Sequence, residues 1–299
     1  MTDESQLQIR PKGGESSLSL SKPRSGLIAR GLGDAASLAG PSSPEPTDWL
    51  AEIRRRAEKG DADAQLHLGL MFVHGEGVAQ DYAEAVRWLR KAADHGNDYP
   101  QNVHGSIAQK FLGDMYREGQ GVPQDYAEAA HWYRKAAEQW SHVGAVFNLG
   151  VSYDNGQGVP QDYVEAARWY RKAADQGLSS AQYRLGLMYH EGRGVPQDDA
   201  EAARLYREAA EWWDTDAQFG LGVLYYEGQG VPRDFTTAHM WLNLAASQVS
   251  GEQQKVYASW RDRVARKMTA QQIAEAQRLA AAFGAEWDDN FAQAGRKQR

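Results

Sequence analysis

An all-α array of stacked helix hairpins is the fold the sequence predicts, on three observations. Glycines Gly77, Gly121, Gly158, Gly194 and Gly230 recur at separations of 44, 37, 36 and 36 residues, and a fixed period in that range marks a repeat array. Within one unit, Ala181, Leu185, Met188 and Tyr189 fall on one face of a first helix, and Ala166, Trp169, Tyr170 and Ala173 on one face of a second. Between two such helices stand stop and start signals. Gly192 and Gly194 supply the left-handed conformation that ends a helix, Pro196 forbids its continuation, and Asp198 opens the next. Glu201 lies three residues on, where a capping-box partner would stand, and the pair recurs as Asp81/Glu84, Asp125/Glu128 and Asp162/Glu165. Copy five has Asp234 followed by Thr237, so its box is lost. Arg171 and Lys172 end the second helix, where cations suit the negative end of the helix dipole.

The unit reads A-Q-x-x-L-G-x-M-Y, then G-x-G-V-P-x-D-Y, then A-x-x-W-Y-x-x-A-A. In this it resembles the Sel-one-like repeat (SLR), a relative of the tetratricopeptide repeat, from about Asp48 to Phe283. The resemblance implies a right-handed superhelix of antiparallel helix pairs and a role as a protein–protein adaptor. Periodicity and capping by themselves establish only the solenoid.

In chain order, residues 1–47 hold twenty Gly, Ser or Pro and no aromatic residue. Such a segment cannot bury enough apolar surface to offset its ordering entropy, and a disordered tail is expected. It is too polar for a signal-peptide core; a solvated tail, an export address and a segment that folds on a partner all remain open. Residues 48–60 place Trp49, Ile53 and Ala57 four apart and are expected to cap the stack as a half-repeat, with Arg54 to Arg56 on its solvated side. Five repeats follow over about 61–248: Ala64–Gly96, Ala108–Glu138, Ala145–Gly177, Ala181–Ala210 and Ala217–Ser247. The longer first spacing is an insertion at Asn97–Ser106, rich in loop formers and expected to be irregular, either a binding excursion or a tolerated one. Trp140, and Trp212 with Trp213, stand at inter-repeat junctions, where packing explains them best.

Residues 252–283 are expected to form two capping helices. One carries Val256, Trp260 and Val264 as its stripe; the other opens with a Thr269/Gln272 capping box and presents Ile273, Ala276, Ala280 and Phe283. The phrases at Met240–Ala246 and Lys267–Gln277 resemble the C-terminal ends of SLR proteins. Residues 284–299 are left as a tail.

Composition narrows function. The 299 residues are 42 % hydrophobic and 24 % charged, ordinary for a globular chain. A net charge of -7 gives no support to nucleic-acid binding or to an anionic membrane. No apolar run approaches the roughly 18 residues of a membrane span. There is no cysteine, which excludes disulfides and thiolate chemistry and sets the chain apart from the cysteine-rich secreted SLR proteins it otherwise resembles.

Catalytic motifs are missing. The G-x-G-V-P glycines follow helices rather than strands and lack a following Lys-Ser/Thr, so they are turn glycines. His67 and His74 share a helix without a carboxylate at ligand spacing, and no serine stands in a G-x-S-x-G elbow. The repeated acidic pairs sit at helix starts, where capping accounts for them. Neither an enzyme nor a cofactor is expected.

In tetratricopeptide-like arrays the first helices line the concave face. Counting from the alanine that opens each copy, three positions are expected to face that groove: Leu66, Leu70 and Val73; Lys110, Asp114 and Arg117; Phe147, Val151 and Asp154; Tyr183, Leu187 and His190; Phe219, Val223 and Tyr226. An aromatic at the first of these positions and an aliphatic at the second are equally expected to pack between neighbouring first helices, so residues that differ between copies are the better candidates for specificity. Lys110, Asp114, Arg117, Asp154, His190 and Tyr226 are therefore expected to face a partner, joined by Tyr183 because aromatic and arginine side chains anchor interfaces. The leading expectation is a non-enzymatic adaptor in a bacterial cytoplasm that holds a protein or peptide segment in the groove. A secreted effector exported through its tail, a hydrolase or cell-wall-precursor binder like the cysteine-rich relatives, and self-assembly are the alternatives.

Overall fold

A computed structural model describes residues 48–94, 103–140 and 142–296; the N-terminal tail and most of the insertion, Asn97 to Asn102, lie outside them. The described residues form 13 helices. A cap helix, α1 (Asp48–Glu58), precedes five antiparallel pairs: α2 (Ala62–His74) with α3 (Tyr82–Asp94), α4 (Val103–Glu118) with α5 (Tyr126–Trp140), and α6 (Val143–Asn155) with α7 (Tyr163–Ala174). The series continues with α8 (Ser179–Glu191) and α9 (Asp199–Glu211), then α10 (Thr215–Glu227) and α11 (Phe235–Gln248). Helices α12 (Gly251–Ala265) and α13 (Ala270–Arg296) close the stack, both packing on α11. This is an all-α helical-repeat solenoid.

Local chemistry explains the boundaries. Gly75, Gly156, Gly192 and Gly228 adopt left-handed backbone at the C-termini of first helices, each donating its N–H to the carbonyl four residues back. Asp162 caps α7 by accepting the N–H groups of Val164 and Glu165 at 2.9 and 3.1 Å, and Asp81, Asp125, Asp198 and Asp234 do the same for their helices. The expected capping-box return bond is absent in three repeats. Glu84, Glu165 and Glu201 instead pair with Arg87, Arg168 and Arg204 on the next turn, because a guanidinium three residues on offers a charge-assisted donor. In copy five Thr237 Oγ1 donates to Asp234 at 2.6 Å in place of the lost box. Thr269 and Gln272 do form the reciprocal box.

One joint recurs between neighbouring repeats. The second loop glycine, with φ near +70°, lies against the first backbone carbonyl of the preceding second helix. A Cβ added at Gly121, Gly158, Gly194 or Gly230 would stand 2.3, 1.9, 2.1 or 2.0 Å from the carbonyl oxygen of Tyr82, Tyr126, Tyr163 or Asp199. At Gly77 the ring of Trp49 from the cap helix takes that place, 3.2 Å away. Mid-helix glycines serve pairing within a repeat: a Cβ at Gly113, Gly150 or Gly186 would meet the rings of Tyr133, Tyr170 or Tyr206 at 2.4 to 2.8 Å. A third device was read in the sequence only as dipole complementation. Arg134, Arg171 and Arg207 donate to the hydroxyls of Tyr153, Tyr189 and Tyr225 in the following repeat at 2.9, 2.6 and 2.9 Å, and Arg90 does so to Tyr116.

Several terminal expectations are corrected. Helix α4 begins at Val103, so His104, Gly105 and Ser106 are helical rather than loop. Arg54 and Arg55 are exposed, and Arg56, with 37 % of its side chain exposed, also bonds Asp61 across the turn at 2.7 Å. In α12 the buried stripe is Tyr257 and Val264; Val256 is 50 % exposed, because Tyr257 reaches back to stack on Phe219 with 4.2 Å between centroids. Helix α13 continues to Arg296, past the expected tail start at residue 284. Of the junction tryptophans, Trp213 takes left-handed backbone (φ 63°) where copy three has Gly177, and lays its ring 5.8 Å from Phe283; Trp212 is 64 % exposed, and the side chain of Trp140 lies outside the described residues.

The joint makes a differential prediction. Gly194→Ala combines positive φ with backbone overlap and should cost about 2–5 kcal/mol. Gly177→Ala has equally positive φ but nothing within 4 Å, and should cost about 1 kcal/mol. Urea unfolding of both variants checks this; equal costs would remove the joint's role.

Candidate partner-binding surface

The first helices share one side of the stack. Helix α2 packs on α4, and Asn148 of α6 reaches Asp114 of α4; among the described residues no other two first helices, and no two second helices of the repeats, pack as closely as α2 and α4. Side chains from neighbouring first helices meet there. Asp114 on α4 is the hub: Lys110 Nζ lies 2.6 Å from its carboxylate, Tyr133 Oη donates to it at 2.8 Å, and Asn148 Nδ2 reaches it from α6 at 3.2 Å. Arg117 stands 4.0 Å from Asp114 and binds Glu118 at 2.7 Å. Burial, reinforced by the Asp114 charge, pushes the Tyr133 phenol well above its ordinary range. Lys110, Asp114 and Arg117 are thus one ionic network with 19–31 % of each side chain exposed.

The other sequence candidates are placed differently. Asp154 is buried, accepting from Tyr170 Oη and from Arg193 of the next loop, both at 3.3 Å. His190 Nδ1 is 2.7 Å from Asp199 at the start of its own second helix. Tyr183 stacks on Tyr206 with centroids 5.7 Å apart. Tyr226 is enclosed by Phe235, by Trp260 of α12 and by the Lys267 ammonium 5.1 Å over its ring. Leu66, Phe147, Leu187, Phe219 and Val223, also expected to line the groove, are buried.

The reason is a rotation of about one residue. The mid-helix glycine lets the second helix approach so closely that the residue three before it tucks under, as Phe147 does 5.6 Å from Tyr170. The open strip accordingly runs through the next residue along: His67, Phe111, Asn148 and Arg184 are part-exposed, and copy five has the buried Gly220 there. Sequence reasoning missed these positions although the signal was present, since five copies carry five different residues there. Asp216, which accepts from Tyr257 and from Gln253 Nε2 at 3.2 Å, was missed as well. Its partners lie 37 and 41 residues away in a helix outside the repeat, and no local pattern announces them. Among the described residues no group of three His, Asp or Glu side chains could hold a metal ion, and no helix is long and apolar enough to cross a membrane.

A stack of helix pairs with an invariant joint and a variable outer strip defines a repeat scaffold, the class of fold that mediates protein interactions. The chain belongs to the Sel1 repeat family: the family's repeat matches residues 62–97, 106–139, 143–178, 179–211 and 215–250, more than half of the chain. Proteins of this family are generally protein-interaction scaffolds, and the fold is typically non-catalytic. The chain is similar to the crystal structure of c5321, a protective antigen present in uropathogenic Escherichia coli strains displaying an SLR fold, at 36 % identity and a TM-score of 0.64. That match covers 81 % of this chain and 53 % of the antigen, so the chain spans about half the antigen's length. It is also similar to a Sel1 repeat protein from Oxalobacter formigenes, at 31 % identity and a TM-score of 0.60, over 69 % of this chain and 87 % of that one.

At the C-terminal end of the strip, Asp214 caps α10 by accepting the Ala217 N–H at 2.9 Å. Burial, with Asp216 adding to it, outweighs the backbone bonds and Arg184 and pushes its carboxyl up to about 6. A carboxyl whose folded pKa is raised contributes stability that is full below the unfolded value near 3.8 and is lost as pH rises through about 6. Wild type should therefore gain on the order of 2 kcal/mol relative to Asp214→Asn between pH 7 and pH 4, asparagine being an equivalent cap. Urea midpoints of both proteins across that range check it; parallel curves would show an ordinary carboxyl.

Proposed function

We propose that this protein is a non-enzymatic scaffold that holds a protein or peptide segment along the first-helix side of its stack. The observation that carries the reading is the contrast between joint and strip. Beneath the surface the same glycine seats and Arg–Tyr bonds recur from copy to copy, whereas at the strip His67, Phe111, Asn148, Arg184 and Gly220 share no chemistry. Stacking alone does not require that variety, and a sequence-specific contact uses it.

Lys110, Asp114 and Arg117, with Asn148, form the polar centre of the proposed site. Their mutual bonds hold each charged group in place before a partner arrives, which reduces the ordering cost of association. Arg184 extends the surface toward the C-terminal end. Asp154, Tyr183, His190 and Tyr226 support it from below: each is engaged by neighbouring helices or loops and fixes the orientation of the strip.

Photo-crosslinking in the native host tests the proposal. A crosslinkable residue at position 148 or 184 should capture a discrete partner, whereas one at Arg168, on a second helix with 73 % of its side chain exposed, should not. Lys110→Glu with Arg117→Glu should weaken that partner tenfold or more, as loss of interface charges does. Equal capture at position 168, or unchanged affinity of the double variant, would refute the assignment.

A further inference from the structure

A cleft beside the second helices α7 and α9 is lined by none of the groove residues. Copies one, two, three and five carry a tryptophan in the middle of the second helix: Trp88, Trp132, Trp169 and Trp241. Three of these are buried, and all four belong to or pack against clusters that join neighbouring units, Trp241 also lying edge-on to Phe283 of α13 with centroids 5.1 Å apart. Copy four has Leu205 there. The backbone has not moved to compensate: a Cβ added at the neighbouring glycine would stand 3.4 Å from Trp169 Cβ in copy three and 3.3 Å from Leu205 Cβ in copy four.

Beside Leu205 lies this cleft, of about 420 Å³, between α7, α8 and α9, within the roughly 300–1,000 Å³ of ligand pockets. Ala174, Leu185 and Leu205 form its apolar floor, with Leu185 and Leu205 only 2 % exposed, and its exposed surface is mainly polar, Asp175, Glu201 and Glu208 supplying the acidic side chains. Ala174 is 8 % exposed, whereas Ala137 and Ala210, its counterparts before copies three and five, are 0 % exposed.

Two further changes accompany the missing ring. Lys91, Lys135 and Lys172 each hold an ammonium 4.2, 4.8 and 5.3 Å from their own indole, but the equivalent residue in copy four is Glu208. Gln65, Gln109 and Gln218 donate to a carbonyl of the preceding second helix, but Gln182 donates to Glu208 Oε2 at 3.2 Å. Its own Oε1 is buried without a hydrogen-bond partner, as is that of Gln65. What distinguishes copy four is therefore the combination of open space, a reversed charge and a redirected amide. The two cations that line the cleft are engaged: Arg204 binds Glu201 and Glu208 at 2.6 and 2.5 Å, and Arg171 bonds Tyr189.

We propose that this cleft is a socket for a tryptophan side chain presented by a basic segment of a partner polypeptide. The indole takes the place the chain's own tryptophan occupies in four other repeats, its N–H within reach of the acceptors Glu208 and Gln182. Flanking lysine or arginine supplies the cation that Lys91, Lys135 and Lys172 supply elsewhere, drawn by the single net negative charge that three carboxylates and two guanidinium groups leave in the cleft.

The test is a titration of the full chain, methyl-labelled at leucine, with an acetylated and amidated tripeptide of lysine, tryptophan and lysine. The control replaces the tryptophan by alanine. The leucine methyl signals of residues 185 and 205 should shift with the first peptide and not the second. Leu205→Trp should fill the socket from within, abolish the shift at Leu185 and leave the melting temperature unchanged or raised. Glu208→Lys, which restores the residue type of the other copies, should weaken the peptide several-fold in a chain that stays folded. No shift at low-millimolar peptide, equal shifts with the alanine control, a Leu205→Trp chain that is destabilised, or undiminished binding by Glu208→Lys would overturn the proposal. Substitutions at Asn148 or Arg184 should not alter this binding, so its failure and that of the groove reading are separable.

Discussion

A glycine seated on a backbone carbonyl governs this structure. At Gly158 and Gly230 the space left for a Cβ is 2.0 Å or less from the first carbonyl oxygen of the preceding second helix, a distance no side chain survives. Only an α-hydrogen fits, and only glycine takes the accompanying positive φ without strain. The contact joins the loop of one repeat to the second helix of the one before it, so the geometry of every hairpin is referred to its predecessor. The Arg–Tyr hydrogen bonds then span the same boundary from side chains. Solenoids of this kind are stable as sums of neighbour contacts rather than through one central core, and here the hydrophobic clusters follow suit, each spanning adjacent repeats.

Rigid spacing gives the first helices their use. When the joint is the same at each step, residues outside it can vary without disturbing the stack, and the strip through His67, Phe111, Asn148 and Arg184 does vary. The Asp114 network shows how variation is made compatible with order: a carboxylate, an ammonium, a phenol and an amide from three helices satisfy one another before any partner is present. The same logic explains the cleft at copy four, where an indole and a lysine have been exchanged for a leucine and a glutamate on an unchanged backbone.

Much of the fold was legible because the repeat speaks several times. Turn glycines, the loop proline and the Asp caps occur at a fixed period, so helix order and loop positions followed directly. The surface was less legible. Whether Phe147 or Asn148 faces outward depends on how near the second helix comes, and that distance is set by Gly150 against Tyr170, a contact between residues 20 apart. Lys110, Asp114 and Arg117 were legible as charged residues on one face of a first helix, but the bonds of Asp114 to Tyr133 and Asn148 could not be read from spacing. The Arg–Tyr ladder was missed although arginine recurs late in four second helices and tyrosine in the following first helices. Each residue had a sufficient local explanation, and that concealed the longer-range one. At the C-terminal end the repeat pattern stops, and Tyr257 displaced Val256 as the buried residue because a ring can stack on Phe219 where an aliphatic side chain cannot.

Native-state hydrogen exchange on a Gly158→Ala chain addresses the central claim, that each repeat is positioned by its joint to the previous one. The account predicts lost protection confined to the start of α5 and to α6 and α7, with α2, α3, α10 and α11 exchanging as in the unmodified chain. Uniform loss along the stack, or no loss at α5, would contradict it.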